Sequence, residues 1–194
     1  MNNMKALLTK DFQINKKTLL MPFWITAGFY LLMIIGVLIA YFRGDFQFSF
    51  SHFDGGPPVP AINYIANLTI AAFPGFLCMI FSIMIMQGAL NEDLRRKCEL
   101  FHRSQPVSIW ERTGSKFLVG TIGNWLVFLV IVIFNFIVIN TIFISLGQFT
   151  FNTAIIGLLQ SVIVMLRYTI LIGSVAFFFS SIFKDKAFFK GIAL

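Results

Sequence analysis

Residues 117–146 read FLVGTIGNWLVFLVIVIFNFIVINTIFISL, an uninterrupted stretch without one charged side chain. A helix needs about 20 apolar residues to cross the hydrocarbon of a bilayer. The stretch is too long for a strand and too apolar to lie against water. With Lys116 ahead of it, it predicts a membrane span over 116–146. A second such stretch covers 152–183 and is broken only by Arg167. The connection Gly147–Phe151 is so short that the two spans must form an antiparallel hairpin. Both are longer than a crossing requires, so they tilt or continue past the membrane.

Two more spans lie toward the N-terminus. One covers 62–90, where Pro74-Gly75 predicts a kink or local unwinding. The other covers 19–42 and carries no charge. Pro22 is placed in its first turn, where a missing N–H does no harm. Trp24 and Tyr41 fall near its opposite ends, as interfacial aromatics do. The composition agrees: 58% of the 194 residues are apolar and 12% charged, and the mean hydropathy is +0.84. A soluble domain carries about twice that share of charge. Long apolar runs, with no strand-and-turn alternation, favour helices over a barrel. The expected fold is an all-α polytopic membrane protein with about four transmembrane helices.

The segments between the spans set its orientation. Lys5, Lys10, Lys16 and Lys17 precede the first span. Arg95, Arg96, Lys97, Arg103, Arg112 and Lys116 lie between the second and third, and Lys184, Lys186 and Lys190 follow the fourth. Arg43 is the one basic residue in the loop 43–61, and the hairpin connection has none. That asymmetry predicts both ends and the middle connection in the cytoplasm, in a multi-pass protein of the cell membrane. It also explains the net charge of +7 without nucleic acid, which is not expected as a partner.

Residues 4–17 do not read as a signal peptide. Met4, Leu7, Leu8, Phe12 and Ile14 are assigned to one helical face, with Asp11 and Asn15 intruding. Lysines, Thr9 and Gln13 take the other. Two readings stay open: a helix lying flat among lipid headgroups, or a plain basic leader. In the loop 43–61, Phe46, Phe48, Phe50 and Phe53 are interleaved with polar residues ahead of Gly55-Gly56-Pro57-Pro58-Val59-Pro60, which reads as an ordinary extracellular loop, with a dip into the outer headgroup layer or a short strand as the alternatives.

The middle connection, 91–116, is unusually charged. Asn91 is a good N-cap, and Glu92 and Asp93 complement the positive end of a helix. Arg95, Glu99 and Arg103 recur every four residues and can pair along one face, beside Lys97 and Arg96. Leu94, Cys98 and Phe101 form an apolar edge. The helix must end before Pro106. Ser108-Ile109-Trp110-Glu111 then reads as a capping box that starts a new helix into the third span. The physics leaves two readings: a docking helix over 91–107, or a solvated loop that only enforces topology.

The order of elements and certain stretches resemble the permease subunit of ABC-2 type transporters. The stretches are Leu7-Leu8-Thr9-Lys10-Asp11-Phe12, Glu99-Leu100-Phe101, Pro106-Val107-Ser108 and Gly114-Ser115-Lys116-Phe117. The resemblance implies that 91–107 is a coupling helix seated on a cytoplasmic ATP-hydrolysing subunit, through Glu92, Asp93, Arg95, Arg96, Lys97, Glu99, Phe101, Arg103 and Pro106. It also implies a second permease copy or paralogue, with membrane lipids around the pair. The family usually has six spans. Residues 184–194 therefore read as a cytoplasmic turn and, from Gly191, the opening of a fifth, in a sequence expected to lack its last two helices.

No phosphate loop is present, since Gly114-Ser115-Lys116 lacks the glycine required before the lysine. No catalytic constellation, cofactor or metal site is expected: Cys78 and Cys98 are separated in depth, and His52 and His102 by a span. The chain is not expected to be an enzyme, and any ATP hydrolysis belongs to a partner. Arg167, central in the fourth span, should face protein or water. Its candidate partners are Gln160, one to two turns earlier, or Asn124, Asn135 and Asn140 on the third span, and it serves either as a gate or as glue between helices. The expected function is export of a hydrophobic or amphipathic substrate. The alternative is a non-transporting scaffold that recruits a cytoplasmic partner through its charged connection.

Overall fold

A computed structural model of the chain describes residues 2–43, 59–90, 108–145, 147, 149–183 and 187–192. Helix α1 covers Asn2–Phe42 and α2 covers Val59–Gly88. Helix α3, Ile109–Leu118, passes into a π-helical turn at Val119–Gly123 and continues as α4, Asn124–Ser145. Helix α5 is Phe151–Ile182, and a short α6 follows at Ala187–Ile192. No strand occurs among the described residues. Four helical stretches, Met4–Ala40, Val59–Gly88, Ile109–Ser145 and Phe151–Ile182, are long and apolar enough to cross a membrane. Their outer faces present Leu32, Phe76, Phe134, Leu171 and Phe178, each exposed. Apolar surface on this scale needs lipid around it. The protein is all-α, polytopic and built for the bilayer.

Several boundaries differ from the sequence expectation. The segments 4–17 and 19–42 form one unbroken helix, because neither glycine nor proline separates Lys17 from Leu19. Pro22 therefore lies in the helix interior, not in a first turn. It deprives the Thr18 carbonyl of a donor, while Thr26 Oγ1 donates to the Pro22 carbonyl at 2.7 Å. In α2 it is Pro60 that occupies the first turn, so the helix starts at Val59, earlier than the expected 62. It runs through Pro74-Gly75 without unwinding. The helix expected to open at Gly191 begins instead at Ala187. The capping box at Ser108 is present as read: Trp110 N–H donates to Ser108 Oγ at 3.3 Å, and Ser108 N–H to Glu111 Oε2 at 3.2 Å.

Packing centres on α2, which lies most extensively against α5. The face that α5 buries is Ala154, Gly157, Ser161, Met165, Thr169, Gly173, Ala176 and Ser180. The spacing of three and four keeps these on one stripe, and the small size of all but Met165 lets two backbones approach. At Gly157 a Cβ would stand 3.1 Å from the Tyr64 carbonyl oxygen. The apolar centre is Ala71, Cys78, Phe128, Val132 and Met165. A second cluster, Leu19, Ile85 and Val119 with Leu8, fastens α1 to the π turn. Above that point α1 is held by few contacts, among them Phe29 against Phe73 at 4.6 Å between ring centres.

Candidate functional site: the anchored ends of the middle connection and the polar seam of α2

The residues assigned to docking, Glu92, Asp93, Arg95, Arg96, Lys97, Glu99, Phe101, Arg103 and Pro106, lie outside the described residues. What is described is the frame that holds the two ends of their segment. On the incoming side, α2 ends at Gly88 and its last carbonyls need donors. Lys116 Nζ donates to the Ala89 carbonyl at 2.6 Å, bringing the start of the third span under the end of the second. Leu90 N–H donates to Ser180 Oγ at 3.4 Å, tying the same point to α5. On the outgoing side, the capping box fixes the first turn of α3.

The N-terminal helix joins this frame through a residue whose role the sequence disguised. Asp11 interrupts the apolar face of 4–17, yet it is 5% exposed while its neighbour Phe12 is 46% exposed. Ser115 Oγ donates to Asp11 Oδ2, and Ser115 is itself fully buried. A buried carboxylate is tolerated when donors satisfy it, so Asp11 locates α1 against α3. The N-terminal part of α1, the end of α2, the start of α3 and the end of α5 thus meet at one end of the bundle.

From that end a seam of polar contacts follows α2 through the membrane. At the π turn, Ser82 Oγ donates to the Gly120 carbonyl at 3.1 Å. A π turn shifts the helical register and leaves carbonyls poorly paired, and Ser82 supplies one such donor. Glycines at 120 and 173 leave space at the crossing, and Gly173 is the one that faces a stiff neighbour. A Cβ on Gly120 would lie 3.0 Å from Met86 Sδ, and one on Gly173 would lie 2.7 Å from Thr121 Cγ2. One layer on, Asn124 Nδ2 donates to the Cys78 carbonyl. Asn67 and Asn140 then exchange amide hydrogen bonds. Tyr64 Oη donates to Gln160 Oε1 at 2.6 Å, and Asn63 Nδ2 to Thr150 Oγ1 at 3.0 Å.

The intramembrane polar residues singled out in the sequence are therefore all engaged, but not with Arg167. Asn124 reaches Cys78, Asn140 reaches Asn67, and Asn135 Nδ2 donates to Tyr30 Oη at 2.8 Å. Gln160 serves Tyr64. Arg167 is exposed on α5, two residues from the buried Met165 on one side and from Thr169 on the other. Two residues rotate a helix by about 200°, so the buried stripe forces Arg167 outward. None of these four candidate partners bonds Arg167 among the described residues.

Neither the π turn nor the part played by Ser82 is expected from the sequence, and Asp11 stands there only as an intrusion on the apolar face of 4–17 and as part of the stretch 7–12. Gly120 and Gly123 within one span were the available signal for the turn. No protein-family model, curated protein or solved structure matches the chain.

Proposed function

We propose that this chain is the membrane-spanning permease subunit of an ABC-2 type exporter, driven by a separate ATPase that docks on residues 91–107. The observation that carries the reading is the doubly anchored frame. A strongly charged connection leaves α2 at a point bonded to both Lys116 and Ser180, and returns through a capped helix seated on Asp11. A push on such a connection reaches α1, α2, α3 and α5 together. The π turn beside Ser82 is where the third span would yield, since π turns recur at functional sites.

In this reading the N-terminus and the connection face the cytoplasm of a bacterial cell, and a second permease copy or paralogue completes the pathway. The substrate is hydrophobic or amphipathic, and the chain itself hydrolyses no ATP.

The test is reconstitution with the candidate ATPase, after simultaneous charge reversal at Arg95, Arg96 and Lys97. Co-purification and ATP-dependent substrate movement should both fall at least tenfold relative to the unaltered pair, a loss of about 1.4 kcal/mol or more in docking. Unaltered docking and transport would remove the coupling role. Docking without ATP-dependent movement in the unaltered protein would identify a recruiting scaffold instead.

A further inference from the structure

On the outward face of α5, Gln160, Arg167, Ser174 and Ser181 recur every seven residues, and all four are exposed. Seven residues are close to two turns, so these positions form one stripe along the span, drifting about 20° per repeat. Three of the four already hold a hydrogen bond within the bundle. Gln160 accepts from Tyr64, Ser174 Oγ donates to the Ile170 carbonyl at 2.7 Å, and Ser181 Oγ donates to the Phe178 carbonyl at 2.6 Å. Arg167 makes no hydrogen bond or ion pair among the described residues. Around it the face is apolar, with Ile163, Ile170 and Leu171 exposed. The stretches 151–166 and 168–183 on either side are free of charge, which sets Arg167 at the middle of the span, beyond easy reach of either headgroup layer.

We propose that this stripe is the seat of a transmembrane helix of different sequence that carries a carboxylate at the depth of Arg167. Charge selects the occupant. The acidic residues of this chain are Asp11, Asp45, Asp54, Glu92, Asp93, Glu99, Glu111 and Asp185. None falls in the central part of a span, and Asp11 is committed to Ser115. A second copy of these residues therefore offers no counter-ion at this depth, and a two-fold pairing along the stripe would oppose arginine to arginine. A partner Asp or Glu accepts the guanidinium hydrogen bonds in a bidentate pair, while the serines let the two backbones come close. The proposal does not depend on the transport reading and is tested without it.

The experiment uses the full chain in phosphatidylcholine vesicles, with fluorescence transfer to a synthetic single-span leucine–alanine helix. One version of this helix has a central Glu, one a central Leu and one a central Lys. The Glu helix should associate about tenfold more tightly than the Leu helix, as expected for one intramembrane polar contact. Arg167→Leu should abolish that preference, Arg167→Lys should retain part of it, and Arg167→Glu should transfer it to the Lys helix. These substitutions sit on an exposed face and leave the packing of α5 on α2 untouched. Equal association of the Glu and Leu helices overturns the proposal, as does a preference that survives Arg167→Leu. Arg167-dependent self-association of the chain assigns the face to a second copy, also against it. A response to anionic lipid alone, with none to the Glu helix, assigns Arg167 to a headgroup phosphate and overturns it as well.

Discussion

Asn67 on α2 and Asn140 on α4 donate to each other: Asn140 Nδ2 lies 3.1 Å from Asn67 Oδ1, and Asn67 Nδ2 lies 3.4 Å from Asn140 Oδ1. Both side chains are buried, at 3% and 4% exposure, and each also bonds a carbonyl four residues earlier in its own helix. A reciprocal amide pair of this kind fixes the register of two helices that lipid alone would leave free to slide. In a double-mutant cycle with Asn67→Leu and Asn140→Leu, unfolding in detergent should give a coupling of about 0.6–1.7 kcal/mol. Strict additivity would show that the pair contributes nothing beyond its separate side chains.

The crossing of α5 over the π turn leaves no room for a side chain at Gly173. Thr121 is short and β-branched and cannot swing aside. Gly173→Val should therefore destabilise the fold by about 1–3 kcal/mol through overpacking, seen as a lower midpoint of thermal unfolding in detergent. Gly28, which a Cβ would leave without a contact within 4 Å, is the control. Gly28→Ala should be neutral or slightly stabilising, since glycine in a helix interior is unfavourable by about 1 kcal/mol relative to alanine.

Ser115→Ala removes the hydrogen bond to the buried Asp11. The loss should be about 1.5–3 kcal/mol, as for hydrogen bonds to charged groups. It should loosen the N-terminal part of α1 more than the rest of the bundle. Limited proteolysis would report this as faster cleavage after Lys5, Lys10, Lys16 or Lys17, with fragments from α2 onward unaffected. Ser115→Thr, which keeps the hydroxyl, should restore most of the protection.

The two cysteines give a direct check on topology. Cys78 is fully buried in the apolar centre and should resist maleimide in intact membranes. Cys98 lies in the middle connection and should react only from the cytoplasmic side. With Cys78→Ala and Cys98→Ala in place, Phe149→Cys should react only from the opposite side. Labelling of Cys98 and Phe149→Cys from the same side would contradict the hairpin path of the chain.

The sequence made the spans, the hairpin and the capping box legible, because each rests on local facts: length, apolar content, or a serine three residues before a glutamate. The buried stripe of α5 is equally present in the sequence, as mostly small residues every three or four positions, and it turns Arg167 outward. Other features were hidden for a different reason. Asp11 looked like an error in an amphipathic pattern, because its reason lies on Ser115, more than a hundred residues away. Pairing each asparagine also required knowing which helices touch, and α2 chooses α5 and α4 over its neighbour in the chain, α1. The continuity of α1 is masked by a change of composition at Thr18 that is not a change of structure.

The preference of α2 for α5 also bears on how the molecule comes into being. A ribosome delivers the second span well before the fourth, so α2 must wait in the membrane with Gly75 and its polar seam uncovered until the hairpin of α4 and α5 arrives. Topology is settled early by lysines and arginines, but the packing of α2 is completed only once the fourth span emerges. During that interval Asn63, Asn67 and Ser82 face lipid or whatever shelters them. A cell that makes this protein has reason to provide an insertase or holding factor for nascent chains that end between the second and fourth spans.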